Sequence, residues 1–168
     1  MVNNKNVSSS YTWLWLAISR ILVGLIFLWA FFDKLFGLGF ATVASKSWMN
    51  GGSPTTGFLS HAQGPFADFF HAIAGNTGAD VLFMAGLLGI GVALTLGIAV
   101  RIGAVTGSVL LFLMWLASFP LENNPIIDEH LVYIAILMAI AFALPLQRLG
   151  LHKQWQSLSL VKKYPWFW

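Results

Sequence analysis

A chain of 168 residues that is 58% hydrophobic and only 9% charged cannot cover a soluble surface, since soluble domains carry about 25% charged residues; it must face lipid. The absence of cysteine excludes disulfides, thiolate metal sites, cysteine-ligated iron–sulfur clusters and cysteine redox chemistry within this chain. The net charge of +3 is not gathered into a basic patch, so it reads as a topology signal rather than a nucleic-acid surface.

Met1 to Ser10 are polar and read as a disordered lead-in. The apolar run that follows is too long for the hydrophobic region of a secretory signal, and no small-residue cleavage site closes it. The first span is expected over residues 13–36, with Trp13 and Trp15 at one interface and Trp29 approaching the other. Within it lies Arg20, which costs roughly 2.5–3.5 kcal/mol to insert at a bilayer centre. A membrane helix that keeps such a residue is a candidate functional site. Gly24, Phe27 and Phe31 follow Arg20 on one helical face, and Lys34 lies within about 40° of it, about 21 Å further along. Arg20 either snorkels to phosphates or points inward. No carboxylate lies at its depth, so an inward Arg20 needs a neutral acceptor: a carbonyl, Thr95, Ser108, Gln147 or a ligand.

Residues 37–78 form a long connection, with Gly51-Gly52-Ser53-Pro54 as a turn signal. After Pro65, the residues Phe66, Phe69, Phe70 and Ile73 share one helical face, which predicts a short amphipathic helix on the membrane or capping the bundle. Ala41 to Met49 is a candidate for a second one. The run from Ala79 to Phe119 would be about 60 Å long as one helix, twice the hydrocarbon thickness, so it must fold back. Arg101, beside Gly97 and Gly103, marks the turn. Spans two and three are therefore expected over 79–99 and 102–119. A polar, acidic loop leads to span four at 130–146, whose end Pro145 is expected to kink. Leu151, Trp155 and Leu158 then share the face of a surface helix, and the tail 147–168 ends in a basic, aromatic segment.

With four spans, Lys5, Arg101, Arg148, Lys153, Lys162 and Lys163 share one side, against Lys34 and Lys46 on the other. The positive-inside rule puts both termini in the cytoplasm. The fold class is thus all-α integral membrane: a four-transmembrane-helix bundle with one or more outer interfacial helices, in a single domain over residues 1–168. Small residues repeat every fourth position at Ala85, Gly89, Ala93 and Gly97, at Gly103 and Gly107, and at Ala135, Ala139 and Ala143. Such stripes pack helices within a bundle, or across a homodimer face.

Candidate chemistry gathers at the outer end. Asp33 and Lys34 close span one; Asn123, Asn124, Asp128, Glu129 and His130 lead into span four, with Tyr133 one turn below His130. These groups are able to relay protons between a membrane site and water. The alternatives are plain: a loop-holding salt bridge at Asp33–Lys34, and favourable charge at a helix N-terminus for Asp128 and Glu129. Asp128 to His130 lacks metal-ligand spacing, and the loop residues His61 and His71 cannot be paired with His130 from sequence, so no metal or haem is expected. No phosphate-binding glycine loop, Ser-His-Asp signature or His-Glu-x-x-His occurs.

Arg20-x3-Gly24-x2-Phe27-x-Trp29 followed by Asp33-Lys34 resembles the first helix of the DoxX/DoxD family of small four-helix membrane proteins. The similarity extends to Trp48-x-Asn50-Gly51-Gly52-Ser53-Pro54-Thr55, Gly64-Pro65-Phe66, Gly86 to Leu94, Gly97-x3-Arg101, and Glu122-Asn123-Asn124-Pro125 with Asp128-x-His130. The family includes the large subunit of a thiosulfate:quinone oxidoreductase and components of redox-stress complexes in bacterial membranes. The resemblance implies a prokaryotic plasma-membrane protein passing electrons from a small sulfur or thiol donor to quinone, with quinone as co-substrate and a small partner subunit. Lys34, Asp128 and His130 would then be catalytic, with Arg20, Asp33, Asn123, Asn124 and Tyr133 binding substrate or quinone. The expected site is one outward-opening cavity among Lys34, Asp128, His130 and the loop cap. The other reading is a non-enzymatic scaffold of a redox complex, or a small-solute carrier.

Overall fold

The computed structural model describes residues 5–144 and 149–167. Its helices are α1 (Lys5–Phe36), α2 (Thr56–Leu59), α3 (Ala67–Ile73), α4 (Thr77–Leu96), α5 (Val100–Ala117), α6 (Glu129–Phe142), α7 (His152–Ser157) and α8 (Ser159–Lys163). The described residues contain no strand. Three helices are long and apolar enough to cross a membrane, over Tyr11–Phe36, Thr77–Leu96 and Val100–Ala117. Their lipid-ready faces are exposed: Leu22, Leu25, Ile26 and Trp29 on α1, Leu82 on α4, and Val109 and Phe112 on α5. Soluble monomers do not tolerate apolar surface on this scale. This is the architecture of a multi-pass membrane protein.

The fourth apolar helix departs from expectation. α6 has 14 residues, about 21 Å, against a hydrocarbon core of about 30 Å. The expected Pro145 kink lies outside the described residues. The polar lead-in also differs: α1 is helical from Lys5, because extending a formed helix by one residue adds a hydrogen bond at little cost.

Each terminus has a local cause. The Asn76 side chain accepts from Gly78 N at 2.9 Å and Ala79 N at 3.3 Å, capping α4. Gly97, at φ 74°, stops α4 in a left-handed turn, and α5 starts after Ala99. The segment from Ala41 to Met49, a candidate helix, instead makes 3₁₀ turns at Ala44–Lys46 and Trp48–Asn50. The helix after Pro65 forms as expected, as α3, and its Phe70 packs with Ala62 and Ala117 over one end of α5.

One core joins the four apolar helices. Val23, Phe27 and Phe31 of α1 meet Met84, Leu87, Ile90 and Leu94 of α4, Ala104 and Leu111 of α5, and Leu137 and Ile140 of α6. The face of α1 that the periodicity singled out is therefore its buried face. The small-residue stripes divide. Gly103 and Gly107 pack inside, against Ala93 and against Ile90 and Leu137. Ala85, Gly89, Ala135 and Ala139 are exposed.

Candidate functional site

The expected single cavity is two. The first, of about 850 Å³, is bounded by the end of α1, the 41–59 connection, α3, α4 and α5. Its walls are largely apolar, with Phe58, Phe69, Phe70, Phe83, Leu110 and Met114 among them, and its charged groups are Lys34 and Lys46. The Lys34 ammonium lies 6.0 Å from the centroid of the Phe83 ring, a cation–π approach. Asp33 makes no ion pair with it among the described residues. Instead, Asp33 is buried and one carboxylate oxygen accepts from Phe40 N at 3.3 Å, which turns the chain back over the end of α1. The other oxygen, Oδ2, is buried without a partner.

The second cavity, of about 550 Å³, has a wall of mixed polar and apolar groups. It holds Glu122, Asn123, Asn124, Asp128, Glu129 and His130, with His61 from the long connection. Asp128 has two tasks. Its Oδ1 accepts from His130 N at 3.0 Å and caps α6, and its Oδ2 lies 2.7 Å from His130 Nδ1. A carboxylate held on one ring nitrogen fixes the orientation of the imidazole. The helix cap expected of Asp128 is thus present, and the same side chain holds His130. Asn124 has a structural place: its Oδ1 accepts from Ile126 N and Ile127 N, both at 2.9 Å, and folds the loop. Tyr133 packs against the central core. His71 binds the Ala62 carbonyl at 2.9 Å. His61 shares the second cavity with His130, but no group of three His, Cys, Asp or Glu among the described residues is arranged to hold a metal.

Arg20 lies at the opposite end of the bundle. It is 0% exposed, so it does not snorkel. One terminal nitrogen donates to the Leu94 carbonyl and the other to the Leu149 carbonyl. Of the acceptors weighed for it, backbone carbonyls are the ones used. Ser108 bonds the Ala104 carbonyl at 2.8 Å instead, Thr95 Oγ1 has no partner, and Gln147 lies outside the described residues. The α4 C-terminus is where carbonyls lack intrahelical donors and the helix dipole favours a cation. The charge is therefore at the end of a span rather than at its middle, because α1 overhangs α4 by several turns.

This clasp also fixes the tail. Leu151 N donates to the Leu96 carbonyl at 2.8 Å, and the Arg101 guanidinium lies 5.7 Å from the Trp166 ring centroid. His152, on the docked tail, has its pKa lowered by desolvation, then by Lys153 and Arg20. A histidine whose folded pKa is depressed contributes stability above its ordinary value of about 6.5, and that contribution is lost as pH falls below it. Amide exchange in α7 and α8 is therefore expected to quicken as pH drops through this range, after correction for intrinsic rates. His152→Ala should flatten the dependence; an unchanged dependence would assign it elsewhere.

One residue passed over in the sequence organises the apolar cavity. Asp80, in the first turn of α4, is buried. Its Oδ1 accepts from Ser53 Oγ at 2.9 Å, Thr55 Oγ1 at 2.6 Å and Thr55 N at 3.3 Å. The connection over the cavity thus hangs from α4 by one carboxylate. The available signal was an acid at the head of an apolar run; its Ser53 and Thr55 partners lie 27 and 25 residues away.

No family model, curated protein or solved structure matches this chain.

Proposed function

We propose that the chain is a four-span membrane protein of the DoxX/DoxD kind that binds a quinone in the apolar cavity and serves as an oxidoreductase subunit. The observation that carries this reading is the cavity itself. Its volume of about 850 Å³ lies in the range of small-molecule sites, roughly 300–1,000 Å³. Its aromatic walls suit a quinone ring, and the Lys34 ammonium over Phe83 suits a quinone carbonyl as a charged donor. Lys34 and Lys46, the cations of this cavity, would draw an anionic donor of the thiosulfate type to the same mouth.

The chemistry balances without a redox group on this chain. Two thiosulfate ions join through a new S–S bond and release two electrons, and quinone takes these with two protons to give quinol. The Asp128–His130 pair would exchange those protons with water. The Lys34 end would face outward and both termini the cytoplasm, in a prokaryotic plasma membrane. The exposed faces at Ala85–Gly89 and Ala135–Ala139 would receive a second copy or a small partner subunit. A non-enzymatic scaffold or carrier is the second reading, favoured by the lack of cysteine and by the separation of Lys34 from His130 into two cavities.

Purified protein in nanodiscs is expected to bind a short-chain ubiquinone analogue and to reduce it with thiosulfate. Lys34→Ala should weaken binding by about tenfold, the equivalent of about 1.4 kcal/mol and of one charge-assisted hydrogen bond. Absence of both quinone binding and quinone-dependent turnover, with or without copurifying partners, favours the scaffold.

A further inference from the structure

We propose that residues 149–167 form a platform for anionic lipid, with lysines that hold headgroup phosphates and apolar side chains that enter the bilayer beside them.

The segment is pinned at the level where two spans end. Leu151 N donates to the Leu96 carbonyl at 2.8 Å, and Leu96 is the last residue of the Thr77–Leu96 span. The 3₁₀ turn Pro165–Phe167 packs back against α5. There the Arg101 guanidinium, in the first turn of the Val100–Ala117 span, lies 5.7 Å from the Trp166 ring centroid. Val161, 1% exposed, is the residue that α8 buries. A segment tied to the ends of two membrane spans lies at headgroup depth. Its other apolar side chains do not turn inward: Leu151, Leu158, Leu160, Tyr164 and Trp166 are exposed. Lys153, Lys162 and Lys163 are exposed among them.

Charge is divided along the bundle. The six carboxylates of the chain are Asp33, Asp68, Asp80, Glu122, Asp128 and Glu129. They lie at the Lys34 end: near the end of α1, on α3, in the first turn of α4, and between α5 and the first turn of α6. At the Arg20 end, Arg101, Lys153, Lys162 and Lys163 therefore meet no acid. No ion pair among the described residues engages these lysines, so none competes with a phosphate for them. A basic cluster of about this size at a span end attracts anionic lipid. Exposed apolar side chains interleaved with it add area buried at the acyl boundary. An acidic soluble partner would satisfy the lysines but not Leu158, Leu160 and Trp166; an anionic bilayer satisfies both. The platform is independent of what the apolar cavity binds.

The absence of native cysteine allows one fluorophore to be placed on the full chain at Leu160→Cys, an exposed position. The protein is held in nanodiscs of phosphatidylcholine and phosphatidylglycerol in equal parts. A trace of either lipid carries an acyl-chain nitroxide, which quenches at contact. Quenching should favour phosphatidylglycerol over phosphatidylcholine by at least about fivefold, the attraction of one lysine. The preference should fall to about onefold at about 1 M salt, where screening reaches about 3 Å, and in the triple variant Lys153→Gln, Lys162→Gln, Lys163→Gln. Inorganic phosphate at matched ionic strength should leave it unchanged. A label at Ile126→Cys, exposed at the acidic end, should show no such preference. Equal quenching by the two lipids at low salt overturns the proposal, as does a preference that survives loss of the three lysines or recurs at Ile126. Displacement by inorganic phosphate would assign the lysines to a free anion and overturn it too. Should the triple variant fail to fold, a preference that persists in high salt overturns it in the same way.

Discussion

Replacing Arg20 with alanine is expected to destabilise the protein by about 3–5 kcal/mol. The substitution strips the donor from the carbonyls of Leu94 and Leu149, both held by the same guanidinium. The buried Leu94 acceptor left unmade costs about 1–3 kcal/mol, the part-buried Leu149 acceptor less, and the lost cation at the α4 C-terminus adds up to about 2 kcal/mol. Arg20→Lys keeps the charge but cannot span both acceptors with a planar fork, so it should fall between wild type and alanine. The close fit around the guanidinium makes the same point from the other side. A Cβ at Gly97 would lie 2.7 Å from Arg20 Nη1, so Gly97→Ala should mimic part of the loss. Thermal unfolding in detergent reads the global effect, and trypsin cleavage after Lys153, Lys162 and Lys163 reads release of the tail. If Arg20→Ala unfolds like wild type with an uncut tail, the guanidinium is not the clasp.

The second large effect concerns the contact between α1 and α4. Gly24→Ala and Gly91→Ala should each cost about 3 kcal/mol, the upper part of the overpacking range. A Cβ at Gly24 would stand 2.7 Å from the backbone nitrogen of Thr95, and one at Gly91 would stand 2.9 Å from the backbone nitrogen of Leu28. Backbone cannot move aside as a side chain can, so the helices must separate and the core between them loosens. Gly89 is the internal control. It sits in the same helix, but a Cβ there meets nothing within 4 Å. Gly89→Ala should therefore be neutral, or stabilising by up to about 1 kcal/mol through helix propensity. Equal destabilisation at Gly89 and Gly91 would mean that close helix approach is not what the glycines serve.

These glycines also show where sequence pattern stops being informative. The four-residue stripe through Ala85, Gly89, Ala93 and Gly97 is regular, yet its Ala85 and Gly89 face outward. The tight contact falls on Gly91, which is off that stripe. Spacing reveals that small residues share a face, but only the position of the neighbouring helix decides which face is pressed. The Asp128 pair lies at the other extreme. Its cap and its histidine contact are both within three residues, so local chemistry alone could have anticipated them.

The sequence by itself determined that the chain is helical and membrane-facing, because too few charges are present to cover any other surface. It also determined that Arg20, Gly24, Phe27 and Phe31 share one face of α1, because they recur at the helical period, and the fold-back near Arg101, because one helix of that length would overrun a bilayer; that this face is the buried one came from the packing. The tertiary structure alone decided what Arg20 does, since its acceptors lie 74 and 129 residues away and are backbone groups that no side-chain pattern marks. It alone decided that Lys34 and His130 face different chambers.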